Sequence, residues 1–486
     1  MAIKEKVRKE MFLPLLLFLL VFTIDKIVLK FAGIALLYLL HPDFHFRKNA
    51  RRIPLFYLLL IALEILKFLL LNRDFSQGHT VAFLLGCLFW MVSFLSLYQM
   101  RSIVDKIDRE RVYRTLTVFF LINAGISLLN LLLTMYRAGS LNPYGMVDSE
   151  YGSSTGDLIK GLFQGPSYLN MMINSFFLFF FLYRGKLSLA LTAVIVVLVT
   201  TANFANLVLV PVLVASLIFN KDKKMRWSVA GFLALFVVFY LLVTPSNLHY
   251  LKNSLFVPKK QVEELIAYEK KAIAKPAADG KKPVYTAAKV DVLLSQEALS
   301  IPDTMVTING RSGKLQSFSQ TAQYLKTGPK AFLFGAGIGN FSSFLALRMS
   351  DLDKEDGSRL FTYLPTYMAP EFQANHYKIY RAIYSLPQEF HSIKQFPNSF
   401  LNQLFGEYGL AGVLLFLLTY VLFFFRHFRK LTYGKYLLFL LGGYLLFDYL
   451  FEYLSVVTVF ELLMFCDIHR LESAGQAVVP LQAEQS

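Results

Sequence analysis

Phe396-Pro397-Asn398-Ser399-Phe400-Leu401-Asn402-Gln403-Leu404-Phe405-Gly406-Glu407-Tyr408-Gly409-Leu410-Ala411-Gly412 joins the two kinds of sequence from which this chain is built. It closes a long polar excursion and opens an apolar span. Asn398, Asn402, Gln403 and Glu407 therefore enter hydrocarbon at positions where leucine would be at home. A carboxylate placed there costs several kcal/mol unless it is paired or solvated, so an ionisable residue at such a point marks a functional site. Gly406, Gly409 and Gly412 recur every third residue, share part of one helix face and permit close helix approach.

Outward from this stretch the chain is a series of apolar blocks. Candidate spans are Met11–Ile24, Ile27–His41, Pro54–Leu71, Val81–Leu97, Val112–Met135, Leu162–Tyr183, Leu187–Thr201, Phe204–Phe219 and Trp227–Val243. Phe400–Phe425, Tyr436–Phe451 and Tyr453–Phe465 follow the excursion, which makes about twelve. Several are shorter than the ~20 residues of a straight crossing. With 486 residues, 55% of them hydrophobic, and a mean hydropathy of +0.49, the chain reads as an all-α polytopic membrane protein. The formal charge of +16 gathers in short gaps between blocks, which indicates topology rather than nucleic-acid binding. Cys87 and Cys466 fall in different blocks, which argues against a structural disulfide. The basic N-terminus leads into an apolar run with no small-residue cleavage site, so it is expected to be a retained first span.

Loop charge orients the spans. Lys4, Lys6, Arg8 and Lys9 place the N-terminus in the cytoplasm, and Arg47, Lys48, Arg51 and Arg52 place the gap before Pro54 there too. Met11–His41 must therefore cross twice, as a hairpin rather than one long helix. The alternation continues to Arg426, Arg429 and Lys430, and both termini end in the cytoplasm. Thr244–Pro397 then becomes one large extracytoplasmic loop. The expected divisions are a transmembrane bundle of about nine helices over 1–243, the loop domain over 244–397, about three transmembrane helices over 398–470, and a disordered cytoplasmic tail over 471–486.

The loop carries most of the candidate chemistry. Phe334-Gly335-Ala336-Gly337-Ile338-Gly339-Asn340-Phe341 has GxGxG spacing without a strand–helix–strand unit, so it is not a dinucleotide fingerprint. It reads as a tight turn between helices. Asn309-Gly310-Arg311-Ser312-Gly313 precedes a helical stretch beginning near Lys314. A helix N-terminus with an arginine fork beside it suits a diphosphate; the competing reading is an exposed turn. Arg137, where the fifth span meets the outer face, is either a grip for a lipid-borne phosphate or a snorkelling arginine. Glu371–Tyr384 sets Tyr377, Tyr380 and Tyr384 on one face beside Lys378 and Arg381, the pattern of a helix lying on a membrane surface. His376 and His391 are candidate general bases or ordinary surface histidines. No HxxxH, HExxH or Cys/His set accompanies them, so no metal and no cofactor are expected.

The order of these motifs resembles the O-antigen ligase and Wzy-type O-antigen polymerase superfamily. A short arginine turn and a helix precede Gly-x-Gly-x-Gly-Asn-Phe, and Asn398-Ser399-Phe400-Leu401 with Glu407-Tyr408-Gly409-Leu410-Ala411-Gly412 opens a late span. The resemblance implies a metal-independent glycosyltransferase of GT-C-like fold in a bacterial inner membrane, with the loop in the periplasm. It implies transfer of glycan from undecaprenyl diphosphate: polymerases extend a lipid-linked repeat unit, and ligases pass the glycan to lipid A–core. By similarity Arg311 would contact the diphosphate, Asn398 and Glu407 would shape the site, and Gly335, Gly337, Gly339 and Asn340 would shape the loop. Implied partners are the lipid-linked oligosaccharide, the bilayer, and a chain-length regulator or the lipid A–core acceptor, with no nucleic acid.

Two departures refine this expectation. Ligases carry a histidine just before the asparagine matching Asn398; here the residues are Gln395-Phe396-Pro397, and the nearest histidine is His391. Many members carry Ser-Arg after the seventh span; here the residues are Thr200-Thr201-Ala202-Asn203-Phe204, which leaves Arg137 or Arg381 to supply the second phosphate contact. The expected activity is therefore a polymerase of lipid-linked repeat units, with His391 or Glu407 as base. A ligase and a lipid-linked glycan flippase are the alternatives. A flippase would show internal repeats and mid-membrane charges, whereas most charges here stand at loop ends.

Overall fold

A computed structural model describes residues 11–24, 26–43, 52–71, 75–144, 147–148, 153–243, 313–350, 352, 364–384 and 396–476. It is helical apart from one two-residue antiparallel ladder, β1 (Val147–Asp148) with β2 (Ser153–Ser154). Each of the twelve apolar blocks contains a helix. Before the loop these are α1 (Leu13–Phe22), α2 (Ile27–Leu40), α3 (Phe56–Leu71), α4 (Gln77–Lys106), α5 (Arg109–Ala138), α6 (Ser167–Tyr183), α7 (Leu187–Thr200), α8 (Asn203–Phe219) and α9 (Lys223–Leu242).

Local chemistry sets the ends of these helices. The Asp108 carboxylate accepts from the amides of Glu110 and Arg111 and starts α5. Gly139 stops it in the left-handed region at φ 59°. Asp222 caps α9 in the same way, through the Lys224 amide. The α1–α2 connection is a hairpin: Gly33 of α2 lies directly against Val21 and Phe22 of α1.

Four helices among the described residues are long and apolar enough to cross a membrane: Gln77–Lys106, Arg109–Ala138, Lys223–Leu242 and Phe400–Phe425. Five more are apolar but have 10–17 residues. At ~1.5 Å per residue a helix of that length falls short of a ~30 Å hydrocarbon layer unless its flanks contribute. The core supplies part of the answer. Helix α6 is buried almost all round, among α5, α7 and the last helix of the chain. Its Asn170 bridges Asn123 and Ser127 of α5, so this amide is paired inside the bundle.

The described part of the loop folds into short helices: α10 (Gly313–Leu325), α11 (Pro329–Phe334), α12 (Phe344–Met349), α13 (Pro370–Ala374) and α14 (His376–Tyr384). After it come α15 (Phe400–Leu415), a π-helical turn Phe416–Val421, α16 (Leu422–Phe425), α17 (Gly434–Tyr444) and α18 (Leu454–Gln476). The 371–384 stretch is two helices rather than one surface helix. Tyr380 is fully enclosed between Phe372, Tyr384 and Phe396. Its ring faces protein, packed against these three side chains.

Candidate functional site

Helix α15 starts where the Ser399 hydroxyl accepts the Leu401 amide at 3.2 Å. It is regular to Tyr408 and then breaks at Gly409, with φ 61° and ψ −161°. The glycines at 406, 409 and 412 therefore do not line a continuous helix face as their spacing suggests. The break frees two carbonyls, and the glycine-rich turn of the loop takes them. The Ala336 amide donates to the Gly406 carbonyl and the Gly337 amide to the Glu407 carbonyl, each at 2.8 Å. Close approach requires glycine on both sides: a Cβ on Gly335 would fall 2.5 Å from the Glu407 carbonyl carbon, and one on Gly406 would fall 2.0 Å from the Phe341 ring. The two glycine motifs are halves of one joint.

A buried ion pair on α3 secures it. Lys67 Nζ lies 2.6 Å from Glu64 Oε1 and donates to the Glu407 carbonyl at 2.9 Å. Glu64 Oε2 accepts from the Ile338 amide at 3.0 Å. Removing one partner of such a pair costs about 3–5 kcal/mol because the other charge is left stranded.

The joint aims the Glu407 side chain. Its Oε1 accepts from the Ser343 hydroxyl at 2.7 Å and the Ser342 amide at 3.3 Å. Its Oε2 is buried. One turn earlier, Gln403 donates through Nε2 to Glu452 Oε1 at 2.6 Å, and its own Oε1 is buried without a partner. Glu452 is completed by the Phe344 amide at 3.1 Å.

These groups form the floor of a cavity of about 240 Å³ between α2, α4, α12 and α15. Ile27, Val28, Phe31, Leu85, Leu88 and Phe89 supply an apolar side, and Lys30 and Arg348 supply cations. Val28 and Leu88 are themselves exposed on the outer surface of the bundle. The lining thus sets an apolar side along α2 and α4 beside two cations and the carboxylate residues Glu407 and Glu452.

Asn398 stands beside the floor, not in it. A row of hydrogen bonds runs from His376 Nδ1 to Ser342 Oγ at 2.9 Å, on to Tyr449 at 2.7 Å and to Tyr380 at 3.0 Å. Tyr380 then donates to Asn398 Oδ1 at 2.5 Å. His376 is enclosed, burial pushes it down to about 3, and both ring nitrogens are engaged, Nδ1 with Ser342 Oγ and Nε2 with the Ser317 carbonyl. Asn340 accepts from Tyr367 and touches His79, which holds the far end of the glycine turn. Lys314 donates to the carbonyls of Asn398 and Phe447.

Burial alone pushes Lys314 down to about 7. The unfolded chain, with an ordinary lysine near ~10.4, binds more protons across the interval between, so stability rises with pH there and the penalty is complete below the folded value. Lys314→Met is expected to flatten that rise in thermal denaturation between about pH 7 and pH 10. An unchanged slope would assign the rise to other groups.

Of the residues singled out in the sequence, Glu407, Gly335, Gly337, Gly339 and Asn340 come together. Arg311 and His391 lie outside the described residues. Arg137 and Arg381 are exposed and do not line the cavity. The residues that sequence reasoning missed are Lys30, Glu64, Lys67, Arg348 and Glu452. Charges inside apolar blocks signal the first three. Arg348 and Glu452 stand in loop or gap sequence and give no such signal. No protein-family model, curated protein or solved structure matches this chain.

Proposed function

We propose that this protein extends lipid-linked polysaccharide at the outer face of a bacterial inner membrane, transferring glycan from a polyprenyl diphosphate such as undecaprenyl diphosphate to a second lipid-linked repeat unit. The observation that carries this reading is the cavity, where an apolar side, two cations and the carboxylate residues Glu407 and Glu452 adjoin. The lining parts of α2 and α15 lie at span ends that loop charge assigns to the outer side, and α12 belongs to the loop. In the proposed step the acceptor hydroxyl oxygen attacks the anomeric carbon, forming the new glycosidic bond. The bond from that carbon to the diphosphate oxygen breaks, and its electron pair leaves with the diphosphate. Lys30 and Arg348 offset the charge on the leaving group. Glu407 receives the hydroxyl proton.

The ordered sequence motifs and the apolar helices support the same class, and about twelve crossings in a GT-C-like arrangement are part of the proposal. The test is disruption of the gene followed by analysis of surface glycan and of glycan left on the carrier lipid. Single repeat units on the surface in place of long chains are the expected result. Full-length polymer retained on the carrier would make the protein a ligase. Repeat units trapped on the cytoplasmic face would make it a flippase. Normal surface chains would exclude all three.

A further inference from the structure

We propose that helix α11 is a bilayer anchor: Phe332 and Leu333 sit among lipid acyl chains on the loop side of the bundle, and so hold the glycine turn that follows them at the membrane surface. The inference rests on the apolar helices that make this a membrane protein and is independent of any glycan chemistry.

Helix α11 bridges the ends of two longer helices. At its start Lys330 Nζ donates to the carbonyl of Leu71, the last residue of α3, at 3.2 Å. At its end the backbone presses on the α15 break: a Cβ on Gly409 would fall 2.6 Å from the Phe334 nitrogen and 2.7 Å from the Leu333 carbonyl carbon. An exposed apolar stripe leads away from each of these points. On α3 it is Ile65, Leu66, Leu69 and Leu70, opposite the buried Glu64 and Lys67. Beyond the α15 break it is Leu414, Leu417 and Leu418. Phe332 and Leu333, 48% and 42% exposed, stand where the two stripes meet. Phe75, 64% exposed, adds to the patch with its ring against Phe68 of α3.

Continuity with the stripes selects the occupant. A single exposed leucine needs no explanation, but an apolar patch that extends the leucine faces of membrane helices calls for the same solvent, acyl chains. Exposed Lys326 and Lys330 precede the apolar pair, and cations beside aromatic and aliphatic side chains are the composition of an interfacial anchor. Helix α11 also needs such contact. Of its six residues only Ala331 is buried. Yet the next residue, Gly335, begins the turn whose Ala336 and Gly337 amides hold the Gly406 and Glu407 carbonyls. Lipid around Phe332 and Leu333 supplies the apolar environment that the protein interior withholds, and it fixes the depth of the turn.

The test uses the full wild-type chain in phosphatidylcholine nanodiscs, footprinted separately with a lipid-soluble diazirine and with hydroxyl radicals and read by peptide mass spectrometry. The carbene is expected to mark Phe332 and Leu333 as heavily as Leu417 and Leu418, and the radicals to spare all four. Marking of Phe332 and Leu333 by hydroxyl radicals alone would place them in water. Marking by neither reagent would place another part of this chain, or a second copy, over them. Either result overturns the proposal. The hold on the turn is read by amide hydrogen exchange at Ala336 and Gly337. Phe332→Ser with Leu333→Ser is expected to speed that exchange by about tenfold or more, and Phe332→Met with Leu333→Met to leave it as in the wild type. Wild-type exchange in the serine pair would show that lipid contact does not steady the turn, and that too overturns the proposal. The wild-type footprint decides lipid contact even if the serine pair fails to fold.

Discussion

Glu407→Gln is expected to abolish chain extension while the protein stays folded and at normal abundance in the membrane. The replacement keeps the side-chain volume and leaves an oxygen for the Ser343 hydroxyl, which now lies 2.7 Å from Oε1. What it removes is the ability of this side chain to take a proton. A positioned general base contributes about 10²–10⁴-fold to a transfer step, so the loss should exceed that of any other isosteric change in the wall. A disrupted strain complemented with the variant should display single repeat units, and membranes from it should leave the lipid-linked donor unconsumed. Wild-type chain lengths from Glu407→Gln would remove the carboxylate from the mechanism. A purely structural role for the joint would then be the remaining account.

Gly409→Ala is the second large effect, and it acts on stability. The backbone there sits at φ 61° and ψ −161°, a region that side-chain-bearing residues hold at a cost of about 1–3 kcal/mol. A Cβ would also fall 2.6 Å from the Gly335 and Phe334 nitrogens, so the glycine turn must retreat. Overpacking of this kind adds about 1–3 kcal/mol, which brings the expected loss to about 2–6 kcal/mol. Retreat of the turn would also withdraw the amides that hold the Gly406 and Glu407 carbonyls. Activity should therefore fall even at temperatures where the variant remains folded. Gly442 is the matched control: nothing lies within 4 Å of a Cβ built there, so Gly442→Ala in helix α17 should be neutral or slightly stabilising. Thermal denaturation of the two detergent-solubilised variants beside the wild type decides the matter. Equal melting temperatures for both would mean that the break at Gly409 is not a fixed feature.

The residues of the site were legible to different degrees, for different reasons. Glu407 declares itself because a carboxylate at the mouth of an apolar block is improbable without a task. Lys30, Glu64 and Lys67 carry the same signal, masked by the high average hydropathy of their blocks. His376 misleads, because a histidine in a polar loop reads as a surface base, and only packing shows it enclosed beside Phe341. Gln403 was visible as a polar residue at the entrance. Its bond to Glu452, on a connection between two later helices, is set only by packing.

Hydropathy blocks, capping residues and loop charge are one-dimensional quantities, and they determined the helical class, the positions of the helices and the hairpin at the start of the chain. Each depends on the transfer of a local segment between water and hydrocarbon, which neighbours in sequence suffice to define. The union of Gly335–Gly339 with the break at Gly409, the clamp from α3 and the convergence of Lys30, Arg348, Glu452 and Glu407 on one cavity were decided by tertiary structure. The physical reason is that these contacts join segments tens to hundreds of residues apart. Their energy lies in backbone carbonyls, close approach and paired charges, none of which has a period or a composition that a linear sequence displays.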